Sequence, residues 1–146
     1  MIQVYRQVTD HFRYDKCECP CCGKLLLVPQ FFRHMERLEQ MRQALDFRMV
    51  ITSGCRCEEH NKTVGGAPIQ YDEDGYRVRH SGSQHLIYAT DVRPEWPDGK
   101  HGDDEFLRRL QAMYDECLSI GFTGLKKYST WIHCDLREGI KWIVPV

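Results

Sequence analysis

The chain has 146 residues, of which 42% are hydrophobic and 28% charged, so it can build a packed core and is too apolar for wholesale disorder. Twenty basic against twenty-one acidic side chains give a net charge of -1, which excludes the basic excess of a general nucleic-acid binder. No apolar run approaches the roughly 20 residues that a membrane span needs. The opening stretch MIQVYRQVTDHFRYDK lacks the charged-then-apolar pattern of a secretion leader. The expectation is one domain over 1–146, cytoplasmic as made, with a cysteine-rich segment at 17–22.

That segment comes first in chain order. The chain has eight cysteines, and Cys17, Cys19, Cys21 and Cys22 fall within six positions. In a chain without a leader, clustered cysteines point to metal or reduced thiols rather than a disulfide framework. In a protein released from the cell they could instead pair as disulfides. Next, Phe31, Met35, Leu38, Met41 and Leu45 recur at steps of three and four, which predicts an amphipathic helix. Met49 to Thr52 reads as a strand. The stretch from Cys55 to Ser83 reads as loop, with turns at Gly65-Gly66 and Asp74-Gly75. Leu86 to Val92 predicts a buried strand. Asp104 to Ile120 predicts a second helix with Phe106, Leu110, Met113, Tyr114 and Cys117 on its apolar face and Gly121 as its stop. Two further strands are expected at Trp131–Leu136 and Lys141–Val144. Helices and strands mix without regular alternation, so the fold class is α+β rather than a doubly wound sheet.

Three pieces carry the chemistry: TSGCRCEEHN (52–61), SGSQHLIYATDV (81–92) and WIHCDLR (131–137). The middle piece places His85 at one end of the predicted strand and Asp91 at the other. Two imidazoles and a carboxylate suit a catalytic Zn²⁺, which takes three N/O protein ligands and keeps a fourth position for water. His133, in an apolar run, is the natural third ligand. Taken singly, each has a plainer reading. A histidine beside apolar residues is usually a satisfied core residue, and a serine and histidine in a loop make an ordinary turn. Asp91 is less ordinary, because an aspartate in an apolar strand needs a partner.

The order of these pieces resembles the zinc D-alanyl-D-alanine carboxypeptidase and L-alanyl-D-glutamate endopeptidase family, whose fold is shared with the hedgehog signalling domain. Ser83, His85, Ala89 and Asp91 match its S-x-H-x-x-G-x-A-x-D signature, Ser53-Gly54-Cys55-Arg56 its S-G-[Y/F]-R segment, and His133 its late histidine. The stretch from His60 to Gly66 and the late His133, Asp135 and Arg137 resemble one small-domain branch. The resemblance implies a small antiparallel sheet with helices packed on one side and zinc on the open face. It implies His85, Asp91 and His133 as ligands and Arg56 as the group that steadies the oxyanion formed when water attacks. Zinc would lower the pKa of its water to about 7. Ser83 and Asn61 are the candidate substrate-binding residues. The implied substrate is the peptide stem of bacterial peptidoglycan, and the implied setting a phage or prophage lysin or a wall-remodelling enzyme.

Two positions depart from the pattern. His85 to Asp91 is one residue shorter than the family spacing and Tyr88 replaces the glycine, so the strand must bulge differently. The positions that hold the general base in better-known members are here Trp131 and Thr130, which cannot accept a proton at neutral pH. Asp135 is the substitute, since alternate residues on a strand share a face. It could equally be a carboxylate orienting His133, or the ligand itself with His133 as base. Separately, Cys19, Cys22, Cys57 and His60 could form a closed Cys₃His structural zinc site, a second metal. Cys117 and Cys134 read as core. The rival functions are a non-catalytic zinc-binding recognition domain of the same fold and a zinc ribbon on nucleic acid, the latter disfavoured by the neutral charge.

Overall fold

In the computed structural model, residues 6–96 and 103–146 are described; part of the opening stretch read for a leader lies outside them. Helix α1 spans Pro29–Ala44 and starts with proline at its first turn, where a missing N–H costs nothing. Its buried residues include Phe31, Met35, Leu38 and Met41 of the expected stripe together with His34 and Glu39, while Leu45, also expected in the stripe, is the C-cap. Helix α3 runs Asp104–Ile120, as expected. Asp104 and Glu105 complement the dipole at its start, and Gly121 ends it in the left-handed conformation at φ 96°. The two helices pack together, with Cys117 Sγ 3.4 Å from Met41 Sδ.

Five strands, β1 Met49–Ser53, β2 Ala89–Pro94, β3 Gly124–Lys127, β4 Ile132–Asp135 and β5 Trp142–Ile143, form one sheet in the order β1-β2-β4-β3-β5. The fold is α+β. The sheet is mostly antiparallel, but β5 pairs parallel with β3, a correction to the wholly antiparallel expectation. The chain reverses after β4, so β5 runs against β4. Because β3 also runs against β4, β3 and β5 share a direction.

Side chains alternate across the strands and divide the sheet into a core face and an open face. Thr90, Val92, Ile132, Cys134 and Leu125 are buried among the helices, and His34 Nε2 of α1 lies 2.9 Å from Thr90 Oγ1. Cys117 and Cys134 are both core, as expected. Asp91, His133 and Asp135 therefore face the other way.

Three local readings are corrected. The strand expected from Leu86 begins only at Ala89, because Gln84–Leu86 form a 3-10 turn capped by Ser83, whose Oγ accepts the His85 N–H. This turn takes up the shortened His85–Asp91 spacing. The bulge lies instead in β1, where the pairing skips Thr52 and sets Ser53 opposite Asp91. Within the supposed loop, Glu58–Thr63 form a short helix, α2, capped by the Cys57 side chain. Six residues are too few for a periodicity to register. The Asp74-Gly75 turn is present, with Gly75 at φ 84° and the Asp72 carboxylate accepting the Asp74 and Tyr76 N–H groups. Among the described residues no helix is long and apolar enough to cross a membrane.

Candidate metal centre and cleft

On the open face the strand register sets Asp91 of β2 directly beside His133 of β4. The 3-10 turn brings His85 to the same point. His85 Nδ1 is 2.7 Å from the Gly54 carbonyl oxygen. A carbonyl only accepts, so Nδ1 carries the proton and Nε2 presents its lone pair. That Nε2 lies 3.4 Å from Asp91 Oδ1, and His133 Nδ1 lies 3.1 Å from the same oxygen. Tetrahedral zinc with bonds near 2.05 Å needs ligand atoms about 3.3 Å apart. Both separations fit, and all three ligand atoms lie within 4.8 Å of one another. The donor set, two imidazoles and a carboxylate, is also one that zinc accepts.

The far side of each ligand is anchored, as metal-binding imidazoles require. His133 Nε2 is 2.7 Å from Asp135 Oδ2. Asp135 is wholly buried and receives three further bonds from Arg137: the backbone N–H at 3.0 Å and Nε at 2.9 Å on Oδ1, and the guanidinium NH2 at 2.6 Å on Oδ2. Gly124, its partner across β3 and β4, leaves it room, since a Cβ there would collide with the Asp135 carboxylate. Both Asp135 oxygens are thus engaged away from the cleft.

Residues 10–73 match the family model described as Peptidase M15. The chain is similar to the M15 peptidases. The match supports the zinc peptidase family that the ordered motifs suggest, and with it a hydrolase of the metallopeptidase type. It covers Ser53 to Arg56 and His60 to Gly66 but ends before His85, so the three candidate ligands rest on their own geometry. No curated protein and no solved structure matches the chain.

The candidate metal centre opens into a cleft of about 390 Å³, lined also by Arg56, Ser83, His80, Tyr128, Trp131 and Trp142. Arg56 NH2 lies 3.6 Å from Asp91 Oδ2, while its Nε reaches Ser53 Oγ at 3.3 Å and its NH1 reaches Asn61 Oδ1 at 3.4 Å. Asn61 is buried, and its amide donates to the Ala67 carbonyl at 3.0 Å. It is placed to hold Arg56 rather than to meet a substrate. Gly66 abuts Asn61 where no Cβ would fit, which accounts for the glycine in the His60–Gly66 motif. Tyr128 and Trp131 stack with centroids 4.5 Å apart and wall the cleft. His80 is the residue that sequence reading missed. Among the described residues it is the non-glycine with positive φ, 63°, and its ring packs on Gly139. An isolated histidine in a loop leaves no pattern in a sequence.

Electrostatics at the centre follow from these contacts. Burial pushes both carboxyls up, but the hydrogen bond from His133, with the His85 imidazole close by, holds Asp91, and those from His133 and Arg137 hold Asp135, well below the usual carboxylate range. Burial pushes His133 down, yet the two flanking carboxylates outweigh it and raise it from 6.5 to about 9. The metal-free protein therefore gains stability from protonated His133, in full below pH 6.5, and loses it as pH rises through about 9. The carboxylates act oppositely: their contribution is present above pH 3.8 and lost as pH falls through their depressed values. Melting temperature of metal-free protein should thus fall between pH 6.5 and 9. A zinc ion held at His133 would compete with this proton, so stabilisation by added zinc should grow over the same interval. A metal-free Tm flat across that interval would contradict the ion-pair geometry.

A second cluster lies apart from the cleft. Cys19, Cys21, Cys22 and Cys57 bring their sulfurs within 4.8 Å of one another. His60, expected among them, is not in the group. Its backbone N–H donates to Cys57 Sγ at 3.3 Å, and Cys21 stands in its place.

Proposed function

We propose that this chain is a zinc-dependent peptidase that hydrolyses peptide bonds in the stem peptides of bacterial peptidoglycan, as a phage or prophage lysin or as a wall-remodelling enzyme. The observation that carries this reading is the set of three ligand atoms, His85 Nε2, Asp91 Oδ1 and His133 Nδ1, spaced for one tetrahedral ion at the floor of an open cleft. A zinc ion held there would polarise the scissile carbonyl and activate a water.

The protein's own residues supply the rest. His85 and His133 are kept in the ligating tautomer by Gly54 and Asp135. Asp135 acts as the orienting carboxylate, one of the roles open to it from sequence, because its oxygens are engaged by His133 and Arg137. Arg56 presents its guanidinium beside the metal position, where it stabilises the negative charge that develops on the carbonyl oxygen. His80 is the histidine that lines the cleft outside the ligand set, and in this reading it accepts the water's proton and passes it to the leaving amine. The Tyr128–Trp131 stack and Trp142 hold the peptide against the floor.

The test is release of fragments from purified stem peptides by zinc-loaded protein, followed by mass spectrometry, which also reads whether a terminal or an internal bond is cut. Arg56→Ala should fold and bind zinc normally yet lose on the order of 100-fold or more in kcat. His80→Gln should lose about 100-fold or more and shift the pH–rate profile. Zinc bound with no peptide released would favour the recognition-domain reading instead.

A further inference from the structure

None of the four cysteines of the second cluster lines the cleft. The cluster's geometry is nevertheless that of a ligand set. Cys19, Cys21 and Cys22 come from one tight turn, closed by the Cys19 N–H on the Lys24 carbonyl at 2.8 Å and the Gly23 N–H on the Cys19 carbonyl at 2.8 Å, with Gly23 at φ 75°. Cys57 reaches them from the start of α2. Cys21 and Cys57 sulfurs are 3.3 Å apart, and all four lie within 4.8 Å. A tetrahedral zinc with Zn–S bonds near 2.3 Å needs sulfurs about 3.8 Å apart, so one ion fits with small adjustments. Backbone N–H groups already point at the sulfurs: Cys57 N–H at Cys19 Sγ, 3.4 Å, and His60 N–H at Cys57 Sγ, 3.3 Å. Such donors offset the net negative charge that four thiolates leave around a divalent cation.

We propose that Cys19, Cys21, Cys22 and Cys57 form a second, structural metal centre of the closed zinc tetrathiolate type, which ties the N-terminal segment to the loop that carries the catalytic-face residues. The four thiols bind as thiolates and release their protons to solvent. No open position is left, so this metal does no chemistry of its own.

What the centre holds is visible in the backbone. The Cys55 N–H donates to the Cys17 carbonyl at 2.8 Å, and Gly54 lies so close to that turn that a Cβ would come 2.5 Å from the Cys17 oxygen. Gly54 in turn accepts the His85 Nδ1–H, and the Arg56 N–H donates to the His85 carbonyl at 2.8 Å. The cysteine-rich segment therefore braces the backbone that sets the tautomer of one catalytic ligand and the root of Arg56. A metal clip at 19–22 and 57 sits immediately beside this contact and closes a long loop of chain, where such clips restrict the unfolded state most.

The experiment uses the full chain purified under reducing conditions, with zinc counted by elemental analysis and Co²⁺ substituted as the probe. Wild type should hold two metals, and its cobalt form should show thiolate-to-cobalt charge-transfer absorption. His133→Ala should lose one metal and keep that absorption. Cys21→Ser and Cys57→Ser should lose the other metal and the absorption with it, whereas His60→Ala should keep both. Should the cysteine variants fail to fold, X-ray absorption at zinc in His133→Ala decides, with an all-sulfur shell near 2.3 Å expected. A single metal in wild type with no thiolate absorption, nitrogen in that shell, or a Cys21–Cys57 disulfide in the freshly purified protein would each overturn the proposal. The readout in His133→Ala is independent of peptide cleavage, so this proposal and the catalytic one fail separately.

Discussion

His85→Ala and His133→Ala should each bind about one zinc fewer per chain than the parent protein and release no stem-peptide fragments above background. Each substitution removes one of three donors spaced for a single ion, and two remaining donors do not retain zinc against buffer. Neither should unfold the protein. His85 sits in the 3-10 turn and His133 faces the open side of the sheet, while the core is built on the other face from α1, α3 and the inward residues of β2 and β4. Circular dichroism should therefore match the parent. His133→Ala should also abolish the fall in metal-free stability between pH 6.5 and 9, because the titrating group is gone. Full zinc content in both variants would remove the assignment of the metal centre.

Asp135→Asn should lower zinc affinity by about 10- to 100-fold, the usual effect of losing the partner that orients a ligating histidine. The amide keeps the shape of the carboxylate but not its charge. One acceptor oxygen becomes an NH2 donor, so the side chain no longer accepts from all of its partners: His133 loses the charged acceptor that fixes its ring, and the Arg137 guanidinium, with two bonds to that carboxylate, loses its counter-ion. Stability should drop by about 1–3 kcal/mol, the cost of leaving buried donors poorly paired. At saturating zinc most of the lost activity should return. A different result would restore Asp135 to the role of base: unchanged zinc affinity with a loss of about 100-fold or more in kcat at every zinc concentration. Titration with zinc separates the two, since only the orienting role is corrected by mass action.

Helix α3 was legible to the residue because its start, its apolar stripe and its glycine stop are all local signals within one stretch of chain. The stripe of α1 and the strands at β1, β4 and β5 were legible for the same reason. The three candidate ligands could be named from sequence too, since an aspartate in an apolar strand and a histidine in a buried run each call for a partner. What the partners are could not be read, because they come from other segments. The Gly54 carbonyl meets His85 across 31 residues. Asp91 meets His133 across 42, through a strand register that the chain order does not state. Asp135 was placed correctly on the face of His133 by alternation. Only the packed structure turns it inward, into the space left by Gly124, where His133 and Arg137 engage both oxygens. Among the cysteines, spacing alone could not choose between Cys21 and His60; in the fold it is Cys21 that joins the group, while His60 meets the Cys57 sulfur through its backbone N–H. Periodicity along the chain determined which residues are core and which carry chemistry; the hydrogen bonds that decide their roles form between segments, and only tertiary packing specifies those.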